Sequence, residues 1–193
     1  MKARVYLPIM LAASILLTFA HHGRAQTKPS VKIDVFKTVK PGQWVQVEGV
    51  PQKETTVMAK KIKILTGDFQ NDDWEVFGTV RALQKQDKGF EILLLKIRSD
   101  NNTAFETASP TKSFKGLDDV KPGMLVEVEG TYLKDGTFLA DEIQDETEGK
   151  ADEAGTVTFV GKAEKVDPGK RTVTVMGVEF QITANTQTKS AIK

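Results

Sequence analysis

The strongest constraint on this chain is a segment that it carries twice. Residues 39–49 read VKPGQWVQVEG and residues 120–130 read VKPGMLVEVEG, with eight of the eleven positions identical. The spacing of 81 persists downstream, where Ala59 matches Ala140 and Ile62 matches Ile143. A repeated unit implies repeated copies of one supersecondary motif, so the repeat takes precedence over any local reading. A second correspondence links FGTVRAL at 77–83 with AGTVTFV at 154–160, and Asp87-Lys88-Gly89 resembles Asp167-Pro168-Gly169. The Gly-Thr-Val piece is a front half and the Val-Lys-Pro-Gly piece a back half. Their order is back (31–66), front (75–112), back (113–146) and front (155–193).

Each half reads as β. Val45 and Val47 alternate with Gln46 and Glu48, Val126 and Val128 with Glu127 and Glu129, and Ile62 and Ile64 with Lys61 and Lys63. A period of two places the apolar set on one face and the charges on the other. Met176-Gly177 predicts a tight bend between two strands, Lys134-Asp135-Gly136 a hairpin turn, and Pro-Gly at 41–42, 122–123 and 168–169 further turns. Ser113 to Val120 predicts a short helix, with Phe114, Leu117 and Val120 on one face and Pro122 beyond its end.

Three strands from a front half, two from a back half and a helical plug between them make the layout of an OB-type, partly open five-stranded barrel. The expected fold is therefore all-β, with two small OB-like barrels. Residues 75–146 supply one complete unit. The second is permuted, with 155–193 joined to the back half at 26–66 through its residues 31–66, because unpaired strand edges and half-buried apolar faces are unfavourable in water. The halves can meet within one chain, between chains by strand exchange, or not at all; a monomer is expected rather than a strand-exchanged oligomer.

The first 25 residues read as an address. Lys2 and Arg4 precede an uncharged run from Val5 to Ala20, shorter than the ~20 residues of a membrane-crossing helix. Gly23-Arg24-Ala25 then gives a small-x-small end, so the segment has the form of a secretory signal peptide cut after Ala25, with Ala20 as the other site. A retained anchor is the competing reading. Cleavage leaves no stable membrane insertion and a protein in the periplasm or outside the cell. It also removes His21 and His22, the only histidines, from a chain that has no cysteine. Disulfides, His/Cys zinc sites, Ser-His-Asp and Cys-His catalysis, His-held haem and Cys-held iron–sulfur clusters all fall away. No cofactor and no catalytic residue is expected.

The Gly-Thr-Val start, the Val-Lys-Pro-Gly-x-x-Val-x-Val-Glu-Gly core and the Ala-x-x-Ile ending resemble bacterial extracytoplasmic OB-like repeats. They are similar to those grouped as domain-of-unknown-function family 5666. The resemblance spans the middle unit and both partial ones and implies a fold more than an activity. The back-first, front-last order departs from the usual succession of whole repeats.

Several residue groups invite a function. Asp141, Glu142, Asp145 and Glu146 offer hard oxygen ligands that suit Ca²⁺, but the Asp-x-Asp-x-Asp-Gly loop is missing. The stretch through Glu148-Gly149-Lys150 to Glu153 also reads as a solvated linker. Asp72-Asp73 and Asp118-Asp119 are paired carboxylates, yet sequence neighbours are not the opposed pair that glycoside hydrolysis needs, and turn roles suit them better. Trp44, Trp74, Phe77, Phe90, Phe105, Tyr132 and Phe138 supply rings for an OB-type nucleic-acid platform. The basic groove that such binding requires is lacking, because the chain without its leader is slightly acidic and Lys60-Lys61-Lys63 is a small cluster. No nucleic-acid partner is expected.

What remains is an exported, non-enzymatic binding or assembly module whose partner is an envelope protein or a glycan. Trp44, Trp74 and Tyr132 are the residues expected at its ligand surface. The alternatives are an oligosaccharide- or nucleic-acid-binding OB module and a carboxylate-dependent hydrolase.

Overall fold

A computed structural model describes residues 34–53 and 56–190, which fall within one unit, Lys32–Lys193. The expected leader and its cleavage site lie outside the described residues. Twelve strands form one mixed sheet. In chain order they are β1 (Trp44–Lys53), β2 (Thr56–Ile64), β3 (Trp74–Gln84), β4 (Gly89–Ile92), β5 (Leu95–Arg98), β6 (Ala104–Thr107), β7 (Leu125–Tyr132), β8 (Thr137–Asp145), β9 (Val157–Asp167), β10 (Thr172–Val175), β11 (Val178–Gln181) and β12 (Gln187–Ser190). The all-β class follows from the period-two pattern: Val45, Val47, Val126 and Val128 are buried while Gln46, Glu48, Glu127 and Glu129 are partly or fully exposed.

Hydrogen bonding closes two rings of five strands. In the first, β3 pairs β4, β4 pairs β5, β5 runs parallel to β8, β8 pairs β7, and β7 returns to β3. In the second, β9 pairs β10, β10 pairs β11, β11 runs parallel to β2, β2 pairs β1, and β1 returns to β9. β6 follows β5 along β8, and β12 follows β11 along β2. The strands of the second ring come from the two ends of the described chain.

The two rings repeat each other in detail. Gly42 N–H donates to Ala163 O at 2.8 Å, as Gly123 N–H does to Val80 O at 2.8 Å. Thr186 Oγ1 donates to Ala59 O at 2.8 Å, as Thr103 Oγ1 does to Ala140 O at 2.8 Å. Among the described residues four non-glycines hold positive φ, and they too are paired: Lys88 (50°) with Arg171 (56°), and Leu93 (56°) with Met176 (49°). Back halves superpose at a spacing of 81, but front halves superpose at 83. Gly78 therefore corresponds to Gly161, and the Gly-Thr-Val pairing with Gly155 is corrected. The two alignments differ by six residues, an even slip that leaves every side chain on the same face of its strand. Contacts decide between them. A methyl on Gly78 would lie 2.7 Å from Ile92 Cγ2, and one on Gly161 would enter the Trp74 indole, whereas Gly155 faces open space.

The turn predictions hold at 41–42 and 122–123, where Gln43 N–H donates to Lys40 O and Met124 N–H to Lys121 O, with Gly42 at φ 87° and Gly123 at φ 90°. The helix expected over Ser113–Val120 is only a 3₁₀ turn, Leu117–Asp119. Gly116 precedes it in extended backbone, and Asp119 closes the loop by accepting from Lys115 N–H at 2.8 Å. The matching short helix of the second ring, α1 (Val35–Thr38), was not foreseen; Asp34 caps it by accepting from Phe36 N–H. The third strand of each front half is broken at a polar loop, giving β5 and β6 in one ring and β11 and β12 in the other.

One apolar cluster runs through both rings, from Val45, Val47 and Phe159 to Val76, Val128 and Phe138. The rings are joined where β3 pairs β9, with Glu75 opposite Val160, Val76 opposite Phe159 and Phe77 opposite Thr158.

Candidate functional site

The three aromatic residues singled out by sequence come together. Trp44 opens β1, Trp74 opens β3 and Tyr132 closes β7. Their ring centroids lie 5.0 Å apart for Trp44–Trp74 and 5.5 Å for Trp74–Tyr132. Phe69, from the loop between β2 and β3, stacks on Trp44 at 5.0 Å and an interplanar angle of 27°. The run Phe69–Trp44–Trp74–Tyr132 therefore draws on both rings.

Each ring has a distinct position. Trp74 is buried, with Gly161 against its indole, so it anchors the run. Trp44, Phe69 and Tyr132 are half-buried and present aromatic surface to solvent. Lys162, directly across the β1–β9 ladder from Trp44, places its ammonium 5.5 Å from that ring's centroid, within reach of a cation–π attraction. The Tyr132 hydroxyl lies near the β10–β11 turn and the β7–β8 hairpin, 3.7 and 3.9 Å from where a methyl on Gly177 or Gly136 would sit. Burial first, then the negative charges of Glu164 and Asp135, raise its pKa above that of an ordinary phenol, so the hydroxyl keeps its proton and can donate.

The aromatic run breaks the symmetry of its scaffold. At the matching positions Leu125 of the first ring stands for Trp44, and Val157 and Pro51 of the second stand for Trp74 and Tyr132. A fold that needed aromatics at these points would carry them in both copies. Phe69 and Lys162 escaped the sequence reading: Phe69 lies in an irregular loop, and Lys162 is marked only by facing Trp44 across a ladder formed by distant parts of the chain. The other rings considered are structural. Phe90 and Phe138 are fully buried, Phe77 is 2% exposed, and Phe105 packs edge-on to Phe114.

The acidic residues considered for Ca²⁺ do not converge. Asp141 is exposed, Asp145 accepts from Thr147 N–H at 2.9 Å, and Glu146 lies 3.9 Å from Lys150. Among the described residues no group of three or more His, Cys, Asp or Glu is placed to hold a metal ion. The segment around Lys150 is exposed at Glu148, Gly149 and 151–155, as a solvated linker would be, but Lys150 itself is tied down. Lys150 pairs with Glu127, its ammonium sits 5.1 Å from the Phe77 ring centroid, and its N–H donates to Glu146 O. Beneath it, Glu75 faces Glu129 across the β3–β7 ladder. Burial, then Glu127 and Glu129, push the Glu75 pKa up to about 7, with Lys150 opposing them.

Among the described residues no helix is long and apolar enough to cross a membrane. A family model described as Domain of unknown function (DUF5666) matches residues 19–63 and 77–144, more than half the chain. No curated protein and no solved structure matches the chain.

Proposed function

Since the chain belongs to the DUF5666 family, whose function is not known, we propose from its own geometry that it is an exported, non-enzymatic binding module of the bacterial envelope. Its scaffold is a pair of OB-like barrels, one over 75–146 and one assembled from 155–193 and 31–66. The reading draws support from strand order: each ring runs first–second–third–fifth–fourth, with the third strand parallel to the fifth, as in an OB-type barrel.

The observation that carries the binding role is the aromatic run at the junction of the rings, present on one side of a duplicated scaffold and replaced by aliphatic residues on the other. Half-exposed rings with a protonated hydroxyl and an ammonium beside them suit a glycan, whose C–H faces pack on aromatic rings while its hydroxyls take hydrogen bonds. The envelope location rests on the signal-like first 25 residues.

The chain has two tryptophans, and both lie in the run, so its indole emission reports on this place. Soluble peptidoglycan fragments titrated into the mature protein shift that emission saturably, and Phe69→Ala with Tyr132→Ala weakens the response. An unchanged emission at millimolar fragment removes the glycan. A second reading, assembly with an envelope protein, draws on β6, which pairs on one side only among the described strands. A free edge accepts an added strand. A stable protein partner recovered with the intact chain favours that reading over the glycan.

A further inference from the structure

Beyond the aromatic run, the first ring carries a polar cleft between the β3–β4 turn and the start of β8. Its narrower part, about 280 Å³, is lined by Gln84, Asp87, Lys96, Arg98 and Thr137. A wider part, about 520 Å³, shares Asp87 and Arg98 and extends past Lys88 to the Ser99–Asn102 loop. Lys96 and Arg98 point outward because they alternate with the buried Leu95 and Ile97 of β5. Asp100 is engaged within its own loop, accepting from Asn102 N–H at 2.7 Å.

The second ring gives the comparison. Its frame is the same: Thr183 N–H donates to Thr186 Oγ1 at 2.9 Å, as Asp100 N–H does to Thr103 Oγ1 at 2.9 Å. The charges differ. Glu179 replaces Lys96 and Gln181 replaces Arg98, while Lys170 replaces Asp87. Gln181 donates to Lys170 O at 3.1 Å, tying strand to turn across the place where the first ring is open. Arg171, the counterpart of Lys88, turns away to the Phe36 ring and to Ile182 O. The second ring thus keeps its cations, Lys170 and Arg171, on the turn, whereas the first carries Lys96 and Arg98 on the strand, facing the cleft.

We propose that this cleft binds the anionic groups, carboxylate or phosphate, of an envelope glycan, with Arg98 and Lys96 as the contacting residues. Arg98 supplies a planar fork that matches an oxyanion, and Lys96 a point charge beside it. The β7–β8 hairpin separates the cleft from the aromatic run: Thr137 lines the cleft, while a methyl on Gly136 would lie 3.9 Å from the Tyr132 hydroxyl on the other side. A chain ligand crossing the hairpin would engage both. The inference rests on the glycan reading above and names the chemistry of the ligand.

Calorimetry on the mature protein tests it with three probes: peptidoglycan fragments with free carboxylates, the same fragments with those carboxylates amidated, and glycerol-phosphate oligomers. The variant is Lys96→Gln with Arg98→Gln; both positions are exposed on the strand, and the second ring already carries glutamine at the matching Gln181. The expected result is a loss of about tenfold in affinity for at least one anionic probe in the double variant, with amidated fragments bound equally by variant and wild type. Loss confined to one anionic probe identifies carboxylate or phosphate as the source. If the double variant binds every probe as the wild type does, the cleft assignment is overturned while the aromatic run keeps its role. If no probe binds the wild type, both readings fall.

Discussion

Val76 and Phe159 face each other in the β3–β9 ladder, and the pairs on either side of them, Glu75–Val160 and Phe77–Thr158, exchange when one ring is laid on the other. The pair therefore sits on an internal twofold axis of the scaffold. Two rings meet as the subunits of a symmetric dimer would, edge strand to edge strand, within one polypeptide. Burying this edge spares both rings an exposed ladder. The axis also shows which differences between the rings are departures: the aromatic run and the Lys96–Arg98 pair each occur once.

The glycines beside this axis are constrained by it. A methyl at Gly78 meets Ile92 and, at 3.1 Å, Val157; one at Gly161 meets Trp74 and, at 3.1 Å, Met176. Gly78→Ala and Gly161→Ala each cost about 1–3 kcal/mol in chemical denaturation, the usual range for forcing an extra carbon into a packed core. Gly161→Ala also shifts the emission of the native protein, because the indole must move. Gly155→Ala costs only about 1 kcal/mol, since its φ of 80° is strained for alanine but its surroundings are open. Native emission unchanged in Gly161→Ala would contradict the register.

The carboxylates under the Lys150 strap set a pH dependence. Glu75 titrates at about 7 in the folded chain against 4.5 for the free side chain. Burial also raises Glu146. A carboxyl with a raised pKa takes up protons on folding, so its favourable contribution is complete below about pH 4.5 and is lost as pH rises through about 7. Glu75→Gln fixes the neutral form. The variant should match the wild type near pH 4.5 and exceed its stability by about 1–2 kcal/mol at pH 8, a figure reduced for the partial exposure of the site. Urea titrations of both proteins from pH 4.5 to 8 measure the gap; a gap that stays constant or narrows with rising pH refutes the assignment.

Much of the scaffold was legible because strand patterning and turn chemistry are local. Val126-Glu127-Val128 declares a half-buried strand, and Pro122-Gly123 declares its entry turn. The helix expected before Pro122 fails for an identifiable reason. The apolar spacing of Phe114, Leu117 and Val120 fits a helix as well as a single 3₁₀ turn, and Gly116 tips the balance toward the turn. The acidic stretch after Asp141 reads as solvated, and Glu148, Asp152 and Glu153 are exposed; composition does not reveal that its one lysine, Lys150, lands over Phe77 beside Glu127. The six-residue slip between Gly155 and Gly161 is invisible to patterning, since an even shift preserves faces. At the candidate site, Trp44, Trp74 and Tyr132 stood out as bulky residues in strands. Phe69 and Lys162 belong to the same cluster only through tertiary pairing, and no local pattern marks them.

The asymmetry of run and cleft has meaning only if the second ring is closed by the two ends of the same chain. The chain has no cysteine, so a pair introduced across β12 and β2 gives an unambiguous report. Gln187 lies opposite Lys61 in the parallel ladder between those strands. Lys61→Cys with Gln187→Cys, oxidised at low micromolar concentration and examined by intact mass and non-reducing electrophoresis, should give a disulfide-linked monomer with a raised denaturation midpoint, as expected when a long loop is closed. Free thiols throughout, or covalent dimers in place of linked monomers, would contradict the closure.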